Sequence, residues 1–271
     1  MLKIAKKSVR KLDEEGPYSL IESASTFANN YAELKLNYIE QRIKYGLSAP
    51  NPSQTIQVNP QNIEYMIVPA FSFSKNRYKT YIVGGDWDQQ HSSEEIGIHR
   101  GGHPNKKLIK ICNYGFYQSL RDHFNKDTLW ENTEFYNWAV EDARKNNIGN
   151  HYESIERIQH RLDEIDELYE SIRTEGYKPQ QELDHPIPAV NEVQVNIGRH
   201  GEIIFDEGKH RFIISKILGI QSIPVRVFVR HKEWQKIRKE VSTESNKAQL
   251  SKVARQNLDH PDITNVSSHL S

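Results

Sequence analysis

Five consecutive residues, Glu207-Gly208-Lys209-His210-Arg211, place an acid, a glycine and three basic side chains together, directly after Asp206. Glycine lets a backbone turn sharply and come close to a ligand. Phe212, Ile213, Ile217 and Leu218 follow at helical spacing, and Gly219 stands where a helix C-terminus favours a left-handed residue. Lys209, His210 and Arg211 therefore fall in a first helical turn. That turn leaves backbone N–H groups unpaired, and the helix dipole favours an anion in front of them. Arginine adds a planar fork for phosphate oxygens, while histidine and lysine add charge or hydrogen bonds. Gly208, Lys209, His210 and Arg211 are thus candidate phosphate ligands. Asp206 and Glu207, beside them, are candidates for holding Mg²⁺ or acting as a base. A surface helix start that merely carries basic residues has the same pattern.

A second set lies upstream. Asp86 and Asp88 sit two apart beside Gly84 and Gly85, and carboxylates so placed could bind a divalent metal. Gly-Gly-Asp is more commonly a strand-ending turn, with the Asp bonding its own backbone, and that is the reading favoured here. His91, His99 and His103 follow in a Gly-rich loop and could complete an open zinc site with one Asp, although nothing in their spacing fixes a geometry. No metal ligand is assigned.

The elements that must position these residues are readable around them. Val193, Val195 and Ile197 alternate with Gln194 and Asn196, the period of a half-buried strand. Gly198 to Gly201 supplies a turn, and Ile203 to Phe205 resumes an extended run. Pro224 opens a last strand, with Val225, Val227 and Val229 expected on one face. Farther upstream, Ser19 to Tyr45 reads as a scaffold helix with Leu34, Leu36, Tyr38, Ile39 and Ile43 on its apolar side; oligomerisation is the lesser reading. Ala49 to Pro60 reads as a linker, and Tyr65–Val68 and Tyr78–Val83 as strands. The aromatic stretch from Tyr114 to Glu141 reads as helical core rather than as base-stacking platforms. His151 to Glu175 carries an apolar seam through Ile155, Ile158, Leu162, Ile165, Leu168 and Ile172, with an acidic solvated face. After Val229, a basic arm from Arg230 to Arg255 could touch phosphates nonspecifically, or could pack Trp234 and Ile237 onto the sheet ahead of a mobile tail.

Composition excludes several classes. The 271 residues hold 36 Lys plus Arg and 36 Asp plus Glu, so net charge favours neither nucleic acid nor an acidic partner. One cysteine, Cys112, rules out a disulfide framework and suits a reducing compartment. No apolar run reaches membrane-span length, and Met1 to Arg10 has no apolar core after its basic residues. The expectation is a cytoplasmic protein with no membrane segment.

Leu162 to Val229 resembles the ParB/sulfiredoxin superfamily. The resemblance rests on Ser171-Ile172 and Gly176 at the end of an acidic helix, then Gly208-Lys209-His210-Arg211, Leu218-Gly219 and Ile223-Pro224-Val225, in that order. It implies an α/β (α+β) fold: a C-terminal ParB/sulfiredoxin-like domain over 151–240 with a small mixed sheet. An N-terminal helical and extended region over 1–150 and a polar tail over 241–271 would flank it. It also implies that the corner holds nucleotide phosphates, ATP or another nucleoside triphosphate with Mg²⁺. Sulfiredoxins carry a catalytic cysteine where this chain has Lys209, which argues against that activity. The two corner arginines and the helix-turn-helix of chromosome-partition proteins are not visible here. Members that phosphorylate free serine have a Gly-x-His-Arg corner closer to this one. The expected function is nucleotide binding with ATP-dependent phosphotransfer to a small molecule; the alternative is a noncatalytic DNA-associated ParB-like module.

Overall fold

The computed structural model describes residues 17–101, 103–145, 152, 154–183, 185 and 187–270. Met1 to Arg10, Gly102 of the histidine-containing loop and His151 lie outside the described residues. The elements run α1 (Pro17–Tyr45), β1 (Thr55–Val58), β2 (Tyr65–Val68), β3 (Tyr81–Val83), β4 (His91–Ser92) and β5 (Lys107–Lys110). Then follow α2 (Gly115–Lys126), α3 (Glu134–Arg144), α4 (Ile155–Glu175), α5 (Pro188–Asn191), β6 (Val193–Ile197) and β7 (Ile203–Glu207). The last are α6 (Lys209–Ile217), β8 (Ile223–His231), α7 (Lys232–Thr243) and α8 (Lys252–Gln256).

The fold is mixed α/β (α+β), built on an eight-stranded sheet ordered β1-β8-β6-β7-β2-β5-β4, with β3 on β8 beside β1. Hairpin β6–β7 is antiparallel, and β8 returns through α6 to lie parallel to β6. The free edge of β8 is shared, its first half pairing β1 and its second half β3. On the other side β2 joins β7 in parallel and carries β5. Strands from before and after residue 150 therefore form one sheet.

Both faces of the central strands are covered. Phe116 and Leu120 of α2, Leu162 and Ile165 of α4, and Phe212 of α6 pack one face. Phe71, Trp87 and Phe228 lead a smaller cluster on the other. This is why β6 is not the half-buried strand its alternation suggests: Gln194 and Asn196 are buried along with the valines. A strand covered on both faces cannot send polar side chains to water. Asn196 is used instead, its Oδ1 accepting from the Val229 N–H at 3.1 Å where the β6–β8 register shifts. The same shift separates Val229, which packs with Phe228 in the smaller cluster, from Val225 and Val227 in the larger one.

Three outer segments also differ from expectation. Ala49 to Pro60 is not merely a linker, since Thr55–Val58 within it forms β1 and pairs with β8. Helix α1 turns Leu34, Asn37 and Gln41 inward, while Leu36, Ile39 and Ile43 face out. The tail is not mobile beyond α7; it folds back. Asp262 is wholly buried, accepting from Arg230 Nη2 at 2.6 Å, Arg230 Nε at 3.0 Å and Trp234 Nε1 at 2.9 Å. Arg238 Nη1 pairs with the same carboxylate at 3.0 Å. Two arginines of the basic arm are thereby turned inward. The Tyr114 to Glu141 rings are core as expected, except that Leu129 in their midst is exposed.

Burial raises the Asp262 pKa, but Arg230 and Arg238 outweigh it and hold the carboxyl well below the ordinary range. A depressed folded pKa stabilises above the unfolded value and loses that contribution as pH falls toward the folded one. Asp262→Ala should cost about 3–5 kcal/mol at neutral pH by stranding two buried cations, read by urea unfolding. The gap between variant and wild type should narrow only below the ordinary carboxylate pKa.

Candidate functional site

Gly208 caps α6 with φ +90°, a left-handed conformation that side chains avoid. A Cβ there would stand 3.1 Å from the Val193 Cα, so the corner is pressed directly on the first residue of β6. This contact fixes where α6 starts and where its first N–H groups point. Phe212 anchors the helix, stacking on Phe205 of β7 with ring centroids 4.4 Å apart.

The structure divides the six sequence candidates. Gly208, Lys209 and His210 lie together at the start of α6. Arg211 belongs to the same turn but is engaged elsewhere. Its Nη1 donates to Tyr177 Oη at 3.0 Å and to Glu192 Oε2 at 3.1 Å, and its Nη2 to the Asn191 carbonyl. Glu192 is itself buried, so Arg211 ties α6 to the turn before β6.

Asp206 and Glu207 separate by strand alternation. Glu207 sits at the corner, its Oε1 3.2 Å from Arg100 Nη2. Asp206 is wholly buried, with Oδ1 accepting from the Phe71 N–H at 2.9 Å and Oδ2 without a hydrogen-bond partner. Burial pushes its pKa up to about 7, the nearby Arg100 guanidinium only partly countering it. Asp206 therefore supports the loop before β3 rather than reaching a ligand at the corner.

Two residues that sequence reading passed over complete the site. Arg161, on α4, places Nη2 3.2 Å from both ring nitrogens of His210 while its Nη1 pairs with Glu164 at 2.6 Å. Arg100 is buried under the corner, donating to the Asp206 carbonyl at 2.6 Å as well as to Glu207; its Nη1 has no hydrogen-bond partner among the described residues. Arg161 left a faint signal, being a base beside the buried seam residue Leu162 on an otherwise acidic helix. Arg100 left none, because only long-range pairing brings its loop beneath β7.

Lys209 stands in the middle of this group. Its ammonium stands 4.3 Å over the Phe116 ring, whose face attracts a cation. Among the described residues no hydrogen-bond acceptor or ion-pair partner meets it. Burial, and then the charges of Arg100 and Arg161, lower its pKa to about 8, with Glu207 opposing. Beside it opens a cleft of about 310 Å³ lined by Arg161, Glu164, Ile165, Leu168, Gly208, His210 and Arg211. A second, of about 540 Å³, runs along α4 past Glu156, Arg157 and His160 and shares Arg161. Lys209, Arg161 and Arg100 face Glu207 and Glu164, and the first N–H groups of α6 add positive potential. The arrangement can hold an anion.

The upstream candidates do other work. Asp88 is buried and binds Arg199 through Oδ1 at 2.7 Å, with Asp86 assisting at 2.8 Å. The pair clamps the β6–β7 turn instead of bonding its own backbone, as the turn reading had it. His91 packs edge-on to Tyr65. Among the described residues, no group of three or more His, Cys, Asp or Glu side chains could hold a metal, and no helix is long and apolar enough to cross a membrane.

Gly208→Ala should cost about 1–3 kcal/mol, because the left-handed backbone and the Val193 contact both resist a side chain. Arg211→Ala should cost about 2–4 kcal/mol without any ligand present, since it removes the cation paired with buried Glu192 and leaves that carboxylate only the Tyr177 hydroxyl and the Gln180 N–H. Urea unfolding checks both, and it makes Arg211 a poor probe of binding. Asp206, with its raised folded pKa, should make the protein lose stability as pH climbs from the ordinary carboxylate value to about 7. Asp206→Asn should flatten that slope and equal or exceed wild-type stability at alkaline pH.

Comparison of the chain with protein-family models, with curated proteins and with solved structures finds no match.

Proposed function

We propose that this chain is a ParB/sulfiredoxin-like protein that binds the phosphate groups of a nucleotide at the start of α6, and that it transfers phosphate from ATP to a small-molecule acceptor. One observation carries the reading: the Lys209 ammonium has no acceptor among the described residues, yet stands at a helix N-terminus with Arg161 and Arg100 beside it. Folding concentrates like charges in this way at a cost that a bound anion would offset. The order of elements around the corner supports the family reading, since β6, β7, α6 and β8 follow one another as the motifs require.

Lys209, Arg161 and the α6 N–H groups would hold phosphate oxygens, with His210 beside them. Neutralising phosphate charge is most of what phosphoryl transfer asks of a protein. Glu207, at the corner beside these groups, would take the acceptor proton. The residues do not build a magnesium seat of their own: Asp206 is turned away and Glu207 is held by Arg100. Charge neutralisation therefore falls to the cations. The cleft along α4 gives the remainder of a nucleotide a place to lie.

Thermal unfolding with ATP, CTP, GTP and ADP, each with and without Mg²⁺, tests this. A nucleotide at a hundred times its dissociation constant should add about 2.7 kcal/mol to the wild type. Lys209→Ala and Arg161→Ala should lose at least about tenfold in affinity, roughly 1.4 kcal/mol each. No shift with any nucleotide, or an equal shift in the variants, would overturn the reading.

A further inference from the structure

Two partly buried lysines of this fold are bonded to backbone carbonyls. Lys106 Nζ donates to the Pro69 carbonyl at 2.8 Å and to that of Ala70 at 3.3 Å. Lys216 Nζ donates to the carbonyls of Pro60, Gln61 and Ile63 at 3.0–3.2 Å. Bonds to two or three carbonyls use the ammonium as a strut, and they hold its protons in place. Lys209 differs. Among the described residues it meets only the face of Phe116, with Arg100 and Arg161 as neighbouring cations and Glu207 as the neighbouring carboxylate. An amine that is desolvated, set beside other cations and spared from hydrogen bonding loses its proton readily and keeps its lone pair accessible. Its place on the first turn of α6 sets it next to the spot where an anionic group would rest.

We propose that Lys209 is a reactive amine that forms an imine with a small aldehyde or ketone carrying a phosphate group, an inference that rests on the corner being a phosphate seat. The phosphate sits at the α6 N-terminus against Arg161, and the carbonyl carbon meets Lys209 Nζ. The neutral nitrogen adds to that carbon, a C–N bond forms and the carbonyl π pair moves to oxygen. Glu207 carries one nitrogen proton to that alkoxide, giving the carbinolamine, and then carries the second nitrogen proton to its hydroxyl, which leaves as water as the nitrogen lone pair forms the C=N bond. Atoms and electrons balance with no oxidant or reductant.

The test uses the intact wild-type chain with pyridoxal 5′-phosphate as probe, borohydride to reduce and trap the imine, and peptide mass spectrometry to assign the modified lysines. At neutral pH Lys209 should label at least about tenfold faster than Lys106 or Lys216. Its labelling rate should rise with pH and level off above about 8. Inorganic phosphate should slow it, and pyridoxal without the phosphate should label it at least about tenfold more slowly. If Lys209 labels no faster than Lys106 and Lys216 while ATP still stabilises the fold, the reactive amine is refuted and the phosphate seat stands. If Lys209 labels fast but equally with pyridoxal, and without protection by phosphate, the seat is refuted together with the phosphate-bearing substrate class.

Discussion

Backbone contact between Gly208 and Val193 governs the rest of the corner. Because the glycine presses on the start of β6, hairpin β6–β7 must end where α6 begins, and α6 must leave at one angle. Phe212 then drops onto Phe205, and β8 returns beside β6. With that path fixed, Lys209 can only project between α2 and α4, where Phe116 and Arg161 wait. A side chain at 208 would disturb the glycine's neighbours and every group aimed from the first turn.

The distribution of buried charge sets this corner apart from the rest of the fold. Around Asp262, Arg230, Arg238 and Trp234 all converge on one acid, although Arg230 Nη1 and Arg238 Nε have no hydrogen-bond partner among the described residues. Arg199 is met by both Asp86 and Asp88. Arg226, buried without a carboxylate partner, is satisfied by the carbonyls of Pro52, Arg77 and Lys79. Among the described residues, the corner combines a guanidinium nitrogen without a partner, on Arg100, with an ammonium that has no acceptor, on Lys209. In a chain of balanced formal charge, such a local surplus is the feature that a structural role leaves unexplained.

Local patterns made much of this legible. The glycine corner, the first turn of α6, the turn at Gly198 to Gly201 and the seam of α4 from Ile158 to Ile172 all follow from short-range spacing, whereas Ile155, expected at the head of that seam, is exposed. What spacing could not give was the partner of each element. Alternation in β6 looked half-buried because sequence does not show that a second layer covers Gln194 and Asn196. Val229 left the row of Val225 and Val227 because a register shift is a property of two strands. Arg211 looked like a phosphate ligand until Glu192 and Tyr177 met it, and Asp206 looked adjacent to the seat until strand alternation turned it away. The tail looked mobile because the partners of Asp262 lie on β8 and α7, about thirty residues earlier.

The most direct test is an amide NMR titration of ¹⁵N-labelled protein with ATP at constant ionic strength, following the backbone N–H groups of Lys209, His210 and Arg211. An anion seated at the α6 N-terminus must perturb those amides. Saturable shifts confined to the first turn of α6 and the facing stretch of α4, abolished by Lys209→Ala, are the predicted result. Shifts that never saturate, or that gather on other surfaces while the first turn stays unmoved, would contradict the assignment of the corner as a phosphate seat.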